Sequence, residues 1–228
     1  MAAAVLAALA LMGAPATAQT TPYEFVRTYI GQLATFEELR ANAEKEVRES
    51  SGDPLKTSIG CIHSGTRYDL EASSAASMMD GMHLRGHFGG EQFQPLPHQI
   101  AEIYRLRRVF MRQITSICST FAEGPKPGVD YQALAAKMPE LRAHIEDLDK
   151  TLFESGVLAF MTLISDQPDK QGHANHLIIS CEQKQTLLSQ IKDEFGAKLD
   201  QKDTSPGVAQ AQLFRDKLIE YKCAEEPR

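Results

Sequence analysis

Apolar residues recur along this chain at steps of three and four, the spacing that puts them on one face of a helix. Thr21-Pro22-Tyr23-Glu24 supplies an N-cap, a proline at the first helical position and a capping-box glutamate. Tyr29, Leu33, Phe36, Ala43 and Val47 then carry a first helix to about Ser50. Ser51-Gly52-Asp53-Pro54 ends it and starts the next, with Asp53 as cap. Leu55, Ile59, Ile62, Tyr68 and Leu70 mark the inward face of this second helix, which fades into Met79 and Met82. Gly60 and Gly65 make it a poor intrinsic helix.

Asp80 to Pro97, with four glycines and two prolines, reads as a long loop. Leu96-Pro97 opens a third helix through Ile100, Ile103, Tyr104, Phe110, Ile114, Ile117 and Phe121. Residues 123–128, Glu-Gly-Pro-Lys-Pro-Gly, form the clearest linker. Asp130 caps a short helix, and Pro139 is expected to restart it as a longer one through Leu141, Ile145, Leu148, Leu152 and Phe153 to about Ile164. Ser165 to Asn175 is a polar loop, and Leu177-Ile178-Ile179 suits a short extended piece. Ser180-Cys181-Glu182-Gln183 fits a capping box before Leu187, Leu188, Ile191 and Phe195. Ser205-Pro206 starts the last helix, with Val208, Leu213, Leu218 and Tyr221 inward. No alternating strand pattern of useful length occurs. The expected fold class is all-α, a bundle of five to six mostly antiparallel helices.

The first eighteen residues stand apart. Met1 to Met12 is unbroken Ala, Leu, Val and Met, Gly13 and Pro15 interrupt it, and Ala16-Thr17-Ala18 matches a signal-peptidase site. The expectation is a signal peptide over 1–18 and a mature chain from Gln19, although no Lys or Arg precedes the apolar run. That run falls short of the ~20 residues a bilayer span needs, and no other stretch reaches that length. The mature chain is therefore expected to be soluble, without a membrane span, and periplasmic or secreted. Residues 19–228 are expected to form a single helical domain, with 123–129 the one place where it would divide.

Composition narrows the reading further. Of 228 residues 43% are hydrophobic and 24% charged, a globular balance, and with Trp absent and Tyr and Phe totalling 16 the core is expected to be aliphatic. A net charge of −6 argues against a nucleic-acid partner held by an overall positive field.

Four cysteines, Cys61, Cys118, Cys181 and Cys223, give an even count in a chain read as exported, which argues for two disulfides. None lies in a CxxC or CxxCH arrangement. In an antiparallel helix pair, facing residues are equidistant from the middle of the turn. The midpoint of Cys181 and Cys223 is residue 202, inside the polar turn Asp200 to Ser205; that of Cys61 and Cys118 falls in the Gly-rich loop, between 89 and 90. Neither alternative pairing is centred on a turn, so Cys61–Cys118 and Cys181–Cys223 are predicted.

Candidate chemistry is sparse. His83 and His87 are four apart, with Met78, Met79 and Met82 upstream, and thioether sulfur beside imidazole suits copper(I). The glycines around them make one shared helix face doubtful, so Met82, His83 and His87 stand as weak metal candidates beside a plain connecting segment. His173 and His176 fit a polar loop better than a metal site. His63 lies near Cys61, but a disulfide-bonded Cys61 cannot serve as nucleophile. Glu140 and His144 are four apart, one too many for a di-iron Glu-x-x-His motif, and no second copy exists. Arg105, Arg107, Arg108 and Arg112 form the one basic cluster. Arg108 and Arg112 share a face that would suit an anion, although a solvated face is the simpler reading.

No catalytic motif and no cofactor is indicated: the nucleophile elbow, P-loop, dinucleotide fingerprint and HExxH are absent. The leading expectation is thus an exported, non-enzymatic bundle with a binding or structural role, its partner an unspecified protein or small ligand. The alternatives are a copper-type metal binder using Met78 to His87 and an enzyme with a dispersed site.

Overall fold

A computed structural model describes residues 21–85, 95–164 and 179–223. The expected signal segment, His87, His173, His176, Leu177 and Ile178 lie outside these residues.

The described residues form six helices and no strand: α1 (Pro22–Glu49), α2 (Pro54–Arg85), α3 (Leu96–Ala122), α4 (Tyr131–Ile164), α5 (Cys181–Asp200) and α6 (Pro206–Glu220). None is long and apolar enough to cross a membrane. The starts follow the caps read from sequence. Thr21 and Glu24 form the reciprocal capping box on α1, as Ser180 and Gln183 do on α5. Asp53 Oδ1 accepts from the backbone N–H of Leu55 and Lys56 (both 3.1 Å), and Asp130 Oδ1 from that of Ala133 (2.9 Å).

α1 is the spine. It touches α2, α4, α5 and α6, while α2 pairs extensively with α3 and α5 with α6. Its buried stripe of Phe25, Val26, Tyr29 and Ile30 joins a core with Met79, Ile100, Tyr104, Phe160, Leu187, Ile191, Phe195, Phe214 and Leu218. A smaller cluster gathers Ile114, Ile117, Cys118 and Leu141 beside the first disulfide.

Both disulfides are present as predicted. Cys61–Cys118 joins α2 to α3 with Cα atoms 6.2 Å apart. Cys181–Cys223 ties the start of α5 to the residues after α6, at 5.0 Å.

Three local readings are corrected. The loop expected from Asp80 is helix as far as Arg85, because Met79 is fully buried and Met82 packs against the core. Tertiary packing outweighs the cost of Gly81, roughly 1 kcal/mol. Pro139 does not divide α4, which runs continuously through it. The missing donor lies on an exposed stretch where water can satisfy the freed carbonyl, while Leu141 anchors the next turn. Leu55, Ile59 and Leu70 are exposed rather than inward, since the first half of α2 is covered on one side only.

Gly65 weakens α2 as an isolated helix but brings it against α3: a Cβ at this position would lie 2.1 Å from Thr115 Oγ1. The same pair of helices is clamped electrostatically. Asp69 of α2 receives Arg108 Nε at 3.1 Å and Arg112 Nε at 2.7 Å from α3. These hydrogen bonds pull the Asp69 carboxyl from 3.8 to about 2. A depressed carboxylate pKa stabilises the fold above the unfolded value and loses that contribution as pH falls toward the folded one. The thermal midpoint should therefore drop between pH 4 and 2, and Asp69→Asn should flatten that part of the profile.

Candidate functional site

Helices α1 to α4 and the start of α6 leave a cavity of about 400 Å³ between them. Its walls are mostly apolar and aromatic, with Leu33, Phe36, Tyr104, Met111 and Phe153 among them. That volume lies within the range typical of small-molecule sites, ~300–1,000 Å³.

The polar groups are few and come from distant parts of the chain. Arg107 of α3 is only 9% exposed, and its Nη1 lies 2.6 Å from Asp149 Oδ1 of α4. The contact is ionic rather than an aligned hydrogen bond, for Asp149 Oδ1 and Arg107 Nε are both buried without a hydrogen-bond partner. The guanidinium rests over the Tyr68 ring at 4.8 Å and the Phe36 ring at 5.8 Å, which offsets part of its desolvation. Burial pushes the Asp149 carboxyl above its usual range, while Arg107 opposes that shift.

Glu37, buried on α1, has a structural job at the cavity edge. Ser205 makes no side-chain bond at the start of α6, and Glu37 Oε1 instead accepts from the Gly207 backbone N–H at 2.9 Å. A carboxylate at a helix N-terminus is favoured by the free N–H groups there. Glu37 Oε2 receives Arg40 Nε and Nη2 at 3.1 and 2.9 Å, and Arg40 also pairs with Glu44. The Tyr29 hydroxyl donates toward Leu152 O (3.2 Å) and Gln210 Oε1 (3.0 Å), and Gln210 Nε2 donates to Phe153 O (3.0 Å). Burial raises the pKa of Tyr29, Tyr68 and Tyr104, so all three are neutral phenols at neutral pH.

The residues singled out from sequence mostly fall elsewhere. Met82 packs on the core, and the His83 ring lies 5.4 Å from that of His98, whose Nδ1 is 3.6 Å from Asp80. Among the described residues no group of three or more His, Cys, Asp or Glu side chains could hold a metal. His63 Nδ1 is 2.9 Å from Glu46 Oε1, and Cys61 beside it is in a disulfide. His144 stacks on Phe110.

Three arginines of the basic cluster lie on the outer face of α3, each paired with a carboxylate, and only Arg107 is buried. Arg105 pairs with Asp80 and Glu102, Arg108 and Arg112 share Asp69, and Arg107 turns inward. Arg107 was not expected inside, although it continues the inward stripe of buried Ile100, Tyr104 and Ile114 and half-buried Met111 at steps of three and four.

The chain matches no family model, no curated protein and no solved structure.

Proposed function

We propose that this is an exported, non-enzymatic helical bundle that binds a small, mainly apolar molecule in the cavity between α1 and α4, working in the periplasm or outside the cell. The observation that carries the binding role is the cavity itself: space of about 400 Å³, walled by apolar and aromatic side chains with a few polar groups converging on it. Exposed Val47, Arg142 and Glu146 in its wall leave a way in from solvent. Two disulfides and the absence of free cysteine among the described residues suit an oxidising compartment. The sequence of the first eighteen residues adds the export signal.

Binding is favoured by transfer of the ligand's apolar surface out of water. The frame around it is held by covalent staples and buried pairs, so the walls are set before the ligand arrives, which limits the ordering cost.

The test is titration with the neutral fluorescent probe N-phenylnaphthylamine. The native protein should enhance its emission in a saturable, one-to-one manner. Ala43, half-buried in the cavity wall on α1, offers a way to fill the space. Ala43→Phe should weaken the probe at least about tenfold without lowering the thermal midpoint, since added apolar contact in a void stabilises. Equal binding to both proteins would place the probe elsewhere and remove the basis of this reading.

A further inference from the structure

We propose that the cavity is a tunnel for one straight aliphatic chain, taken tail first, with the polar head left at the open end beside Val47 and Arg142. This inference deepens the ligand-binding reading above and rests on it.

The shape follows from where the wall residues stand on their helices. The wall runs along α1 from Tyr29 to Val47, along α3 from Tyr104 to Ile114 and along α4 from Arg142 to Phe153. At ~1.5 Å of rise per residue these stretches measure about 27, 15 and 17 Å. A rounded space of about 400 Å³ would be roughly 9 Å across, well short of those stretches. The cavity is therefore long and thin.

Its two ends differ. At one, Tyr29, Tyr68, Tyr104 and Leu152 are all buried, and the hydrogen bond from the Tyr29 hydroxyl to Leu152 O holds α1 against α4. At the other, Gly60 lies against Glu46, the neighbour of Val47: a Cβ on Gly60 would be 3.6 Å from Glu46 Cβ. Three of the four exposed residues in the wall, Val47, Arg142 and Glu146, stand toward this second end; the fourth, Pro206, begins α6. The wall is thus closed at the Tyr29 end and open to water at the Val47 end.

A chain of methylenes fits such a space with contact on every side, and each CH₂ that enters leaves water. A compact ring system of equal carbon count covers only a short part of it. The head group gains by staying at the open end, because a charge carried inside would lose its hydration.

The experiment is calorimetric titration of the full chain with octanoate, undecanoate and longer straight-chain carboxylates, all below micelle-forming concentrations, and with adamantanecarboxylate as the compact counterpart of undecanoate. Affinity should rise about three- to fourfold per added methylene, the worth of a CH₂ leaving water, and level off once the tunnel is full. Undecanoate should bind at least about tenfold tighter than adamantanecarboxylate. Leu33, half-buried in the wall one turn after Tyr29, stands toward the closed end. Leu33→Phe should weaken tetradecanoate at least about fivefold and leave octanoate within about twofold. If that variant fails to fold, Leu33→Ala reads the same depth from the other side: its affinity should go on rising past the chain length at which the native protein levels off. Adamantanecarboxylate binding as tightly as undecanoate would overturn the inference. So would an equal loss of octanoate and tetradecanoate in Leu33→Phe, or a Leu33→Ala series that levels off at the native length. Failure of every compound, N-phenylnaphthylamine included, would instead overturn the ligand-binding reading on which the inference stands.

Discussion

Gly156→Ala is expected to destabilise the protein by about 1–3 kcal/mol. Gly156 sits one turn after Leu152 on α4, and a Cβ built there would lie 2.2 Å from both Cζ and the hydroxyl oxygen of Tyr29. Real Cβ contacts are never that short, so the ring or the helix must move. The ring is poorly placed to do so. Tyr29 is fully buried on α1, and its hydroxyl bonds to Leu152 O and Gln210 Oε1. Overpacking typically costs ~1–3 kcal/mol, and losing the hydroxyl's partners adds ~1 kcal/mol. Against this, alanine gains ~1 kcal/mol of helix propensity over glycine. The steric side wins, with an expected fall in thermal midpoint of about 3–10 °C. Combining it with Tyr29→Leu should cost less than the two single changes summed, because the smaller side chain vacates the space. Tolerance of Gly156→Ala to within about 0.5 kcal/mol would mean that α1 and α4 are not so close.

Loss of either disulfide should cost more. The bridges span 57 and 42 residues of chain. The loop-entropy relation puts each at about 4 kcal/mol, a ceiling that native strain or residual unfolded structure lowers. Serine at either partner of a bridge should be about equally harmful, and serine at both scarcely worse than one. The two bridges lie in different helix pairs, so their effects should add. They should differ in one respect. Cys61 lines the cavity, whereas neither Cys181 nor Cys223 does. Cys61→Ser or Cys118→Ser should therefore weaken N-phenylnaphthylamine as well as lower the thermal midpoint, while Cys181→Ser or Cys223→Ser should lower the midpoint alone. Chemical denaturation with probe titration at matched folded fractions separates the two effects.

The parts of this fold legible in the sequence are those with a local signature. Thr21 with Glu24 and Ser180 with Gln183 announce helix starts, because an N-cap hydroxyl and its partner three residues on are a short-range device. The disulfide pairing was legible because it depends only on where the turns are centred. With α2 ending at Arg85 and α3 starting at Leu96, the midpoint between the two helix ends falls between positions 90 and 91, within about a residue of the cysteine midpoint.

What was not legible depends on surfaces meeting. Gly65 reads as a weak point in a helix until Thr115 of α3 is placed against it. Pro139 reads as a break because its ring acts locally, whereas the continuity of α4 comes from packing on either side. Arg107 reads as one of four surface arginines because its neighbours Arg105, Arg108 and Arg112 are. Only the helical register with Tyr104 and Met111 points it inward, and only α4 supplies Asp149. The cavity has no sequence signature at all, since its wall takes residues from Tyr29 to Gln210 across five helices.

The space between Tyr68, Arg107 and Asp149 is the proposed binding site. A crystal structure grown with N-phenylnaphthylamine tests it most directly. The probe's density is expected inside the bundle, against Phe36, Tyr68 and Tyr104, with Arg107 still beside Asp149. A bundle whose side chains have closed over that space, with the probe absent or seated on the outer surface, would contradict it.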